Sequence, residues 1–142
     1  MTIFVDTNVL LDFLLGREEF FPEARTIFAL CEKKHVQGYI SALSIPNIVY
    51  IMRKQLTDGK TREVIATLQR IFKVADLKAD DLQKALRLDF RDYEDALQSV
   101  AAARVKASFL ITRNLKDFGN SKITALTPKE LLARLKAPET ES

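Results

Sequence analysis

The sequence has little of what soft metals and disulfides need: one cysteine and one histidine in 142 residues. Cys31 cannot close an internal disulfide alone, and no Cys or His cluster surrounds it as a zinc site requires. The lone His35 reads as a surface residue rather than a ligand. No apolar run approaches the roughly 18 residues that span a bilayer. The opening Met1-Thr-Ile-Phe-Val-Asp6 has no basic leader, and Asp6 and Asp12 interrupt its apolar run. Neither a signal peptide nor a membrane partner is therefore expected, and the expected compartment is reducing and cytoplasmic. Repeats, linkers and low-complexity runs are missing as well.

What is there suits one domain with a real core, since 47% of the residues are hydrophobic. Residues 1–136 read as that domain and 137–142, Ala-Pro-Glu-Thr-Glu-Ser, as a flexible tail. The net charge of +3 is mild, but its distribution is uneven. Arg53, Lys54, Lys60, Arg62, Arg70 and Lys73 fall in one stretch; Asp76, Asp80, Asp81, Asp89, Asp92, Glu94 and Asp95 crowd the next. A basic surface beside an acidic patch suits a polyanion held over a metal site. Solvated helix faces account for the same charges without any function.

Short apolar strands are expected at Thr2–Val5, Tyr39–Ala42, Phe72–Ala75, Ser108–Thr112 and Ile123–Leu126. Between them lie helical patterns at Asn8–Leu15, Pro22–Lys34, Ile45–Leu56, Arg62–Phe72, Asp80–Leu88, Tyr93–Val105 and Pro128–Leu135. Ile45, Ile48, Val49, Met52 and Leu56 keep the apolar spacing of one helix face. Ser44 is placed to cap that helix and Thr127 to cap the last one. Alternating strands and helices, with strands apolar on both faces, argue an α/β fold with a mainly parallel sheet between helices. Function then sits at the carboxyl ends of the strands.

Asp6 closes the first strand, where an aspartate is either a helix N-cap or a side chain turned into the crevice. Asp95 falls in the first turn of the Tyr93–Val105 helix, with Asp92 as its N-cap. Asp89, Asp92 and Asp95 are spaced by three, near one face if helical, where a cation would offset their repulsion. Thr112, Asn114 and Asp117 follow the fourth strand, although Asn114 and Asp117 are also ordinary loop residues. Three segments thus bring oxygen donors to one sheet edge, and hard oxygen ligands select Mg²⁺ or Mn²⁺.

Four segments in order, Ile3-Phe-Val-Asp6-Thr-Asn-Val-Leu-Leu-Asp12, Ile40-Ser-Ala-Leu-Ser-Ile45, Asp92-Tyr-Glu-Asp95-Ala-Leu-Gln98 and Ile111-Thr-Arg-Asn-Leu-Lys-Asp117-Phe118, resemble PIN domains, in particular the bacterial VapC-like toxins. The resemblance spans essentially the whole chain. It implies a three-layer α/β/α fold with a five-stranded sheet, Mg²⁺- or Mn²⁺-dependent endoribonuclease activity, a homodimer, and a cognate antitoxin. Carried over by position, Asp6 and Asp95 become catalytic metal ligands, and Asp117 or Asn114 serves from the fourth segment; Asp117 is taken as the third catalytic acid and metal ligand, with Asp92 as a further metal ligand. Asn8, Ser41, Asn47, Thr112 and Asn114 are expected to support them, and the basic Arg53, Lys54, Arg113 and Lys116 to contact RNA. One position departs from the family: Asn47 stands where a glutamate is usual, and Asp92 or Glu94 would have to compensate. The alternative is a degenerate PIN domain that binds RNA or protein with little nuclease activity. A phosphatase of the haloacid-dehalogenase type fits less well, because that family wants an aspartate where this chain has Asn8. A receiver domain fits worse still, because its phosphorylated aspartate ends the third strand.

Overall fold

In the computed structural model, residues 1–136 are described; the tail expected at 137–142 lies outside them. Five parallel strands form one sheet in the order β3-β2-β1-β4-β5. They are β1 (Thr2–Val5), β2 (Gln37–Ser41), β3 (Lys73–Ala75), β4 (Phe109–Ile111) and β5 (Ala125–Leu126). The helices are α1 (Thr7–Leu14), α2 (Phe21–Glu32), α3 (Ser44–Ile51), α4 (Asp58–Ile71), α5 (Ala79–Leu86), α6 (Tyr93–Arg104) and α7 (Pro128–Lys136). A 3₁₀ turn, Leu115–Phe118, follows β4.

The pleat divides each central strand between two cores. Ile3, Val5 and Ile111 face α1, α2, α4 and α7, packing with Leu10, Ile27, Leu68 and Leu131. Phe4 and Leu110 face the other way, against Ala101 and Ala102 of α6. Helix α5 joins that second layer through Ala85, packed with Ala96 and Leu97. The result is the expected three-layer α/β/α arrangement. Gly38 lets β2 approach α2 closely: a Cβ there would lie 2.6 Å from Cys31 Sγ and 2.7 Å from Phe72 Cδ1.

Three local expectations change. Helix α3 ends at Ile51 rather than Leu56, where the Arg53 guanidinium donates to the Tyr50 carbonyl at 2.7 Å and caps the last turn. Helix α4 begins at Asp58 rather than Arg62, because the Thr57 hydroxyl accepts from the Lys60 amide. The Asp58-Gly59 pair is its first turn rather than a break. Ser44 does not cap α3; it is fully buried inside it, with its hydroxyl 2.7 Å from that of Thr7. Thr127 does cap α7, exchanging hydrogen bonds with Glu130. Among the described residues, no helix is long and apolar enough to cross a membrane.

Candidate metal and nuclease site

The carboxyl ends of the central strand β1 and its neighbour β4 set the floor of the site. The Asp6 amide donates to the Ile111 carbonyl at 2.9 Å, which locks the strand ends side by side. Asp6 takes the N-cap position of α1, but its carboxylate makes no capping hydrogen bond. Instead Asp6 Oδ2 accepts from the Thr112 hydroxyl at 3.0 Å. Both side chains are buried, Thr112 completely.

A pocket of about 330 Å³ opens over Asp6. Thr7, Asn8, Asn47, Glu94, Asp95 and Gln98 add to its polar lining, with Tyr50 and Ile51 of α3 beside them. Four elements therefore meet there: the end of β1, the first turn of α1, α3 and the start of α6. Asn47 Nδ2 donates to Glu94 Oε1 at 2.8 Å, so the position that lacks a carboxylate holds one contributed by α6.

The electrostatics are those of acids without a paired cation. Burial pushes the Asp6 carboxyl up to about 6, against the Thr112 hydroxyl, the Thr7 amide and the charge of Arg113, all of which lower it. Asp95 rises to about 7, first through burial and then through the negative charges of Asp6, Asp92, Asp117 and Glu94. Each of these four acids is thus close enough for its charge to act on Asp95. Among the described residues, no three His, Cys, Asp or Glu side chains already sit at metal-ligating spacing. By donor type the site still fits a hard cation, because every polar group at its centre offers oxygen and the like charges repel.

The other expected residues divide. Asp92 caps α6, its Oδ1 accepting from the Asp95 amide at 3.1 Å. Asp89 lies in the loop before that helix, so it does not share a helical face with Asp92 and Asp95; its carbonyl accepts from the Asn120 side chain. Ser41 is buried away from the pocket, its hydroxyl accepting from the Leu43 amide. Asn114 precedes the 3₁₀ turn that carries Lys116 and Asp117, and its backbone amide donates to the Thr112 hydroxyl. Exposed Arg53 stacks over Tyr50 at the pocket edge, 4.0 Å from the ring centroid, with exposed Lys54 next to it. Arg113 grips Asp12 with two hydrogen bonds, at 2.7 and 3.2 Å, and lies over the Phe20 ring.

Sequence reasoning did not single out Thr7, Ser44 and Gln98 as a unit. Gln98 Nε2 donates to Thr7 Oγ1 at 2.9 Å and reaches Ser44 Oγ at 3.4 Å. All three are buried, yet Gln98 Oε1 has no partner among the described residues, a deficit of about 1–3 kcal/mol for a buried acceptor. The available signal was positional: each polar residue stands one to three places after or before a site residue, on a face otherwise apolar.

The family profile of the PIN domain matches residues 2–116. No curated protein matches the chain by sequence. Among solved structures, a toxin–antitoxin complex from Klebsiella pneumoniae is similar at 27% identity and a TM-score of 0.66, covering 89% of this chain and 97% of that one. VapBC2 from Rickettsia felis, bound to a promoter DNA fragment, matches with a TM-score of 0.67 at 15% identity over 89% of this chain and 98% of that one. VapC20 of Mycobacterium tuberculosis, a toxin that cleaves the sarcin-ricin loop, matches with a TM-score of 0.60 at 16% identity over 76% and 86%. With its five parallel strands between helix layers and a profile match over most of its length, the chain belongs to the PIN domain family.

Proposed function

We propose that this PIN domain is a Mg²⁺- or Mn²⁺-dependent endoribonuclease and the toxin of a toxin–antitoxin pair. One observation carries the reading: Asp6 and Asp95, 89 residues apart in sequence, share one pocket in which the charge of Asp6 helps hold the Asp95 carboxyl near neutrality. Crowded acids of this kind are arranged for a cation rather than for stability.

Asp6, Glu94 and Asp95 would hold the ion, with Asp117 and the Asn47 amide oxygen as further donors and Asp92 adding negative charge behind them. The cation supplies Lewis acidity and charge neutralisation toward a phosphodiester. The protein supplies placement. Thr112 restrains the Asp6 carboxylate, Asn47 restrains Glu94, and Asn8 lines the approach. Arg53, Lys54 and Lys116 present exposed cations to an RNA backbone, whereas Arg113 is engaged with Asp12. The toxin–antitoxin complex at 27% identity supports an antitoxin as partner. Exposed Tyr50 and Ile51 beside the pocket, 64% and 45% accessible, suit a protein surface of that kind or a second copy of the chain.

The test is RNA cleavage by the purified protein on structured and unstructured RNA, in Mg²⁺, Mn²⁺ or EDTA, beside the Asp6→Asn, Asp95→Asn double variant. Cleavage is expected only with metal and only from the unsubstituted chain. Activity that survives EDTA or the double substitution sinks the reading. RNA binding without cleavage in every condition would establish the second reading, a binding module, which Asn47 in place of the usual glutamate favours.

A further inference from the structure

Gln98 ends the segment that carries Asp92 and Asp95 but was itself assigned no role there, yet it occupies the junction of the site. Thr7 directly follows Asp6. Ser44 lies one helical turn before Asn47. Gln98 lies one turn after Asp95. The hydrogen bonds among Thr7, Ser44 and Gln98 therefore tie together the three helix starts that carry the pocket's polar side chains. All three residues are at least nine-tenths buried, with relative exposures of 9%, 0% and 3%.

A purely structural clamp would satisfy every atom it buries, since an orphaned acceptor is costly. Here Gln98 spends its amide nitrogen on Thr7 and Ser44 and leaves Oε1 with no partner among the described residues. Gln98 also lines the pocket. The unspent group is thus an acceptor oxygen on the residue that borders both the clamp and the acids.

We propose that Gln98 is a positioning residue of the metal site: its Nε2 fixes the spacing of the Asp6, Asn47 and Asp95 segments, and its Oε1 accepts a hydrogen bond from water held with the cation. The inference rests on the divalent-metal reading above. It assigns to Gln98 a share of metal affinity that neither charge nor direct ligation explains. Oriented partners behind metal ligands of this kind are worth about 10–100-fold in affinity.

The experiment measures Mn²⁺ binding by electron paramagnetic resonance and calorimetry on the full chain, with circular dichroism and thermal melting as the check on folding. Gln98→Met keeps the length and removes both polar atoms. Its Mn²⁺ dissociation constant is expected to rise by at least about tenfold while the fold is retained. Gln98→Glu keeps an acceptor oxygen on each side, and the Thr7 and Ser44 hydroxyls turn to donate to it. This variant is expected to bind Mn²⁺ within about threefold of the unsubstituted chain, on the same scale of effects. A structural role alone would lower the melting temperature of Gln98→Met and leave the Mn²⁺ affinity of its folded state unchanged.

Mn²⁺ affinity unchanged in folded Gln98→Met overturns the proposal, and so does an equal loss in both Gln98 variants. If Gln98→Met fails to fold, Ser44→Ala carries the test. It removes one acceptor of Nε2 and should weaken Mn²⁺ binding by a few fold; unaltered affinity there overturns the clamp. An unsubstituted chain that binds no Mn²⁺ is a different failure: it removes the function reading and leaves the hydrogen-bond network as pure architecture.

Discussion

Asp6, Asp12 and Asp81 are all buried in this fold, and they are neutralised in opposite ways. Asp12, 1% exposed, is held by two guanidinium groups, Arg113 at 2.7 Å and Arg17 at 3.1 Å. Asp81 pairs with Arg104 at 2.9 Å, and the same arginine also donates to the Asp76 carbonyl. Burial works to raise the Asp81 carboxyl, but the Lys78 amide and Arg104 outweigh it, and the group sits below its ordinary value. Asp6 has a neutral hydroxyl as its direct partner and faces Asp95. The chain supplies arginine to the acids that only hold the fold together. It pairs no arginine directly with Asp6, Glu94 or Asp95, the three acids that share the pocket, which is the pattern expected of the cation site proposed above.

The largest test of that contrast is on activity. Removing two of the three pocket charges with Asp6→Asn and Asp95→Asn should cut RNA cleavage by at least about 10³-fold, about 4 kcal/mol of barrier. The melting temperature should hold or rise, because repulsion has been relieved. A double variant that melts well below the unsubstituted chain would place these acids with Asp12 after all.

Asp12→Ala should do the reverse to stability. Two arginines lose their common partner, and breaking such a pair costs about 3 kcal/mol; a urea midpoint that does not move would dissolve the distinction. The fold there depends on the Arg113–Asp12 grip across 101 residues of sequence.

Next in size is the pH dependence in the absence of divalent metal. Asp6 and Asp95 have folded values of about 6 and about 7, above the ordinary 3.8. The folded state therefore binds protons more tightly than the unfolded chain. That stabilisation is fully present below about pH 4 and is lost as pH rises through the folded values. Asp6 contributes on the order of 3 kcal/mol; half-buried Asp95 contributes less because solvent screens it. Asp81 acts in the other direction, stabilising above its unfolded value and losing that contribution in acid. Denaturant titrations between pH 4 and 7 should show stability falling as pH rises, with a shallower slope in Asp6→Asn. Identical slopes in the two proteins would contradict the assignment.

The smallest effect isolates one hydrogen bond. Thr112→Val deletes the hydroxyl that Asp6 Oδ2 accepts from and keeps the shape of the buried side chain. Mn²⁺ binding should weaken by about tenfold, the equivalent of about 1.4 kcal/mol, readable by calorimetry. No change would mean that Asp6 needs no restraint.

Much of this was legible beforehand because it is local. Apolar strand runs, helix periodicity, the Asp92 cap on α6 and the Thr127 cap on α7 depend on residues a few positions apart; every expected element and both of these caps formed, though the bounds of α3 and α4 moved. The strand-end acids were legible too, since parallel α/β topology sends strand ends to one edge. Hidden from view was whatever depends on partners distant in sequence. Ser44 read as a cap because its neighbours are local, whereas its real partners are Thr7 and Gln98, 37 and 54 residues away. Asp89 read as facial with Asp92 because a spacing of three suits a helix, but the chain there is a loop pinned by Asn120. Arg113 read as a free cation because the sequence does not reveal that α1 delivers Asp12 to it.

The strand order β3-β2-β1-β4-β5 has a dynamic consequence. The Asp6 amide is bonded into the junction of the inner strands β1 and β4, so its hydrogen should exchange with solvent only on global unfolding. Asp117 rides on a four-residue 3₁₀ turn that reaches the core through one side chain, the buried Phe118, set edge-on to Phe90. One acid is thus held by the hydrogen bonds of the sheet and the other by the packing of a single aromatic ring. In the cation site proposed above, the Asp117 side would answer to substitutions at Phe118 and the Asp6 side to substitutions in the two strands.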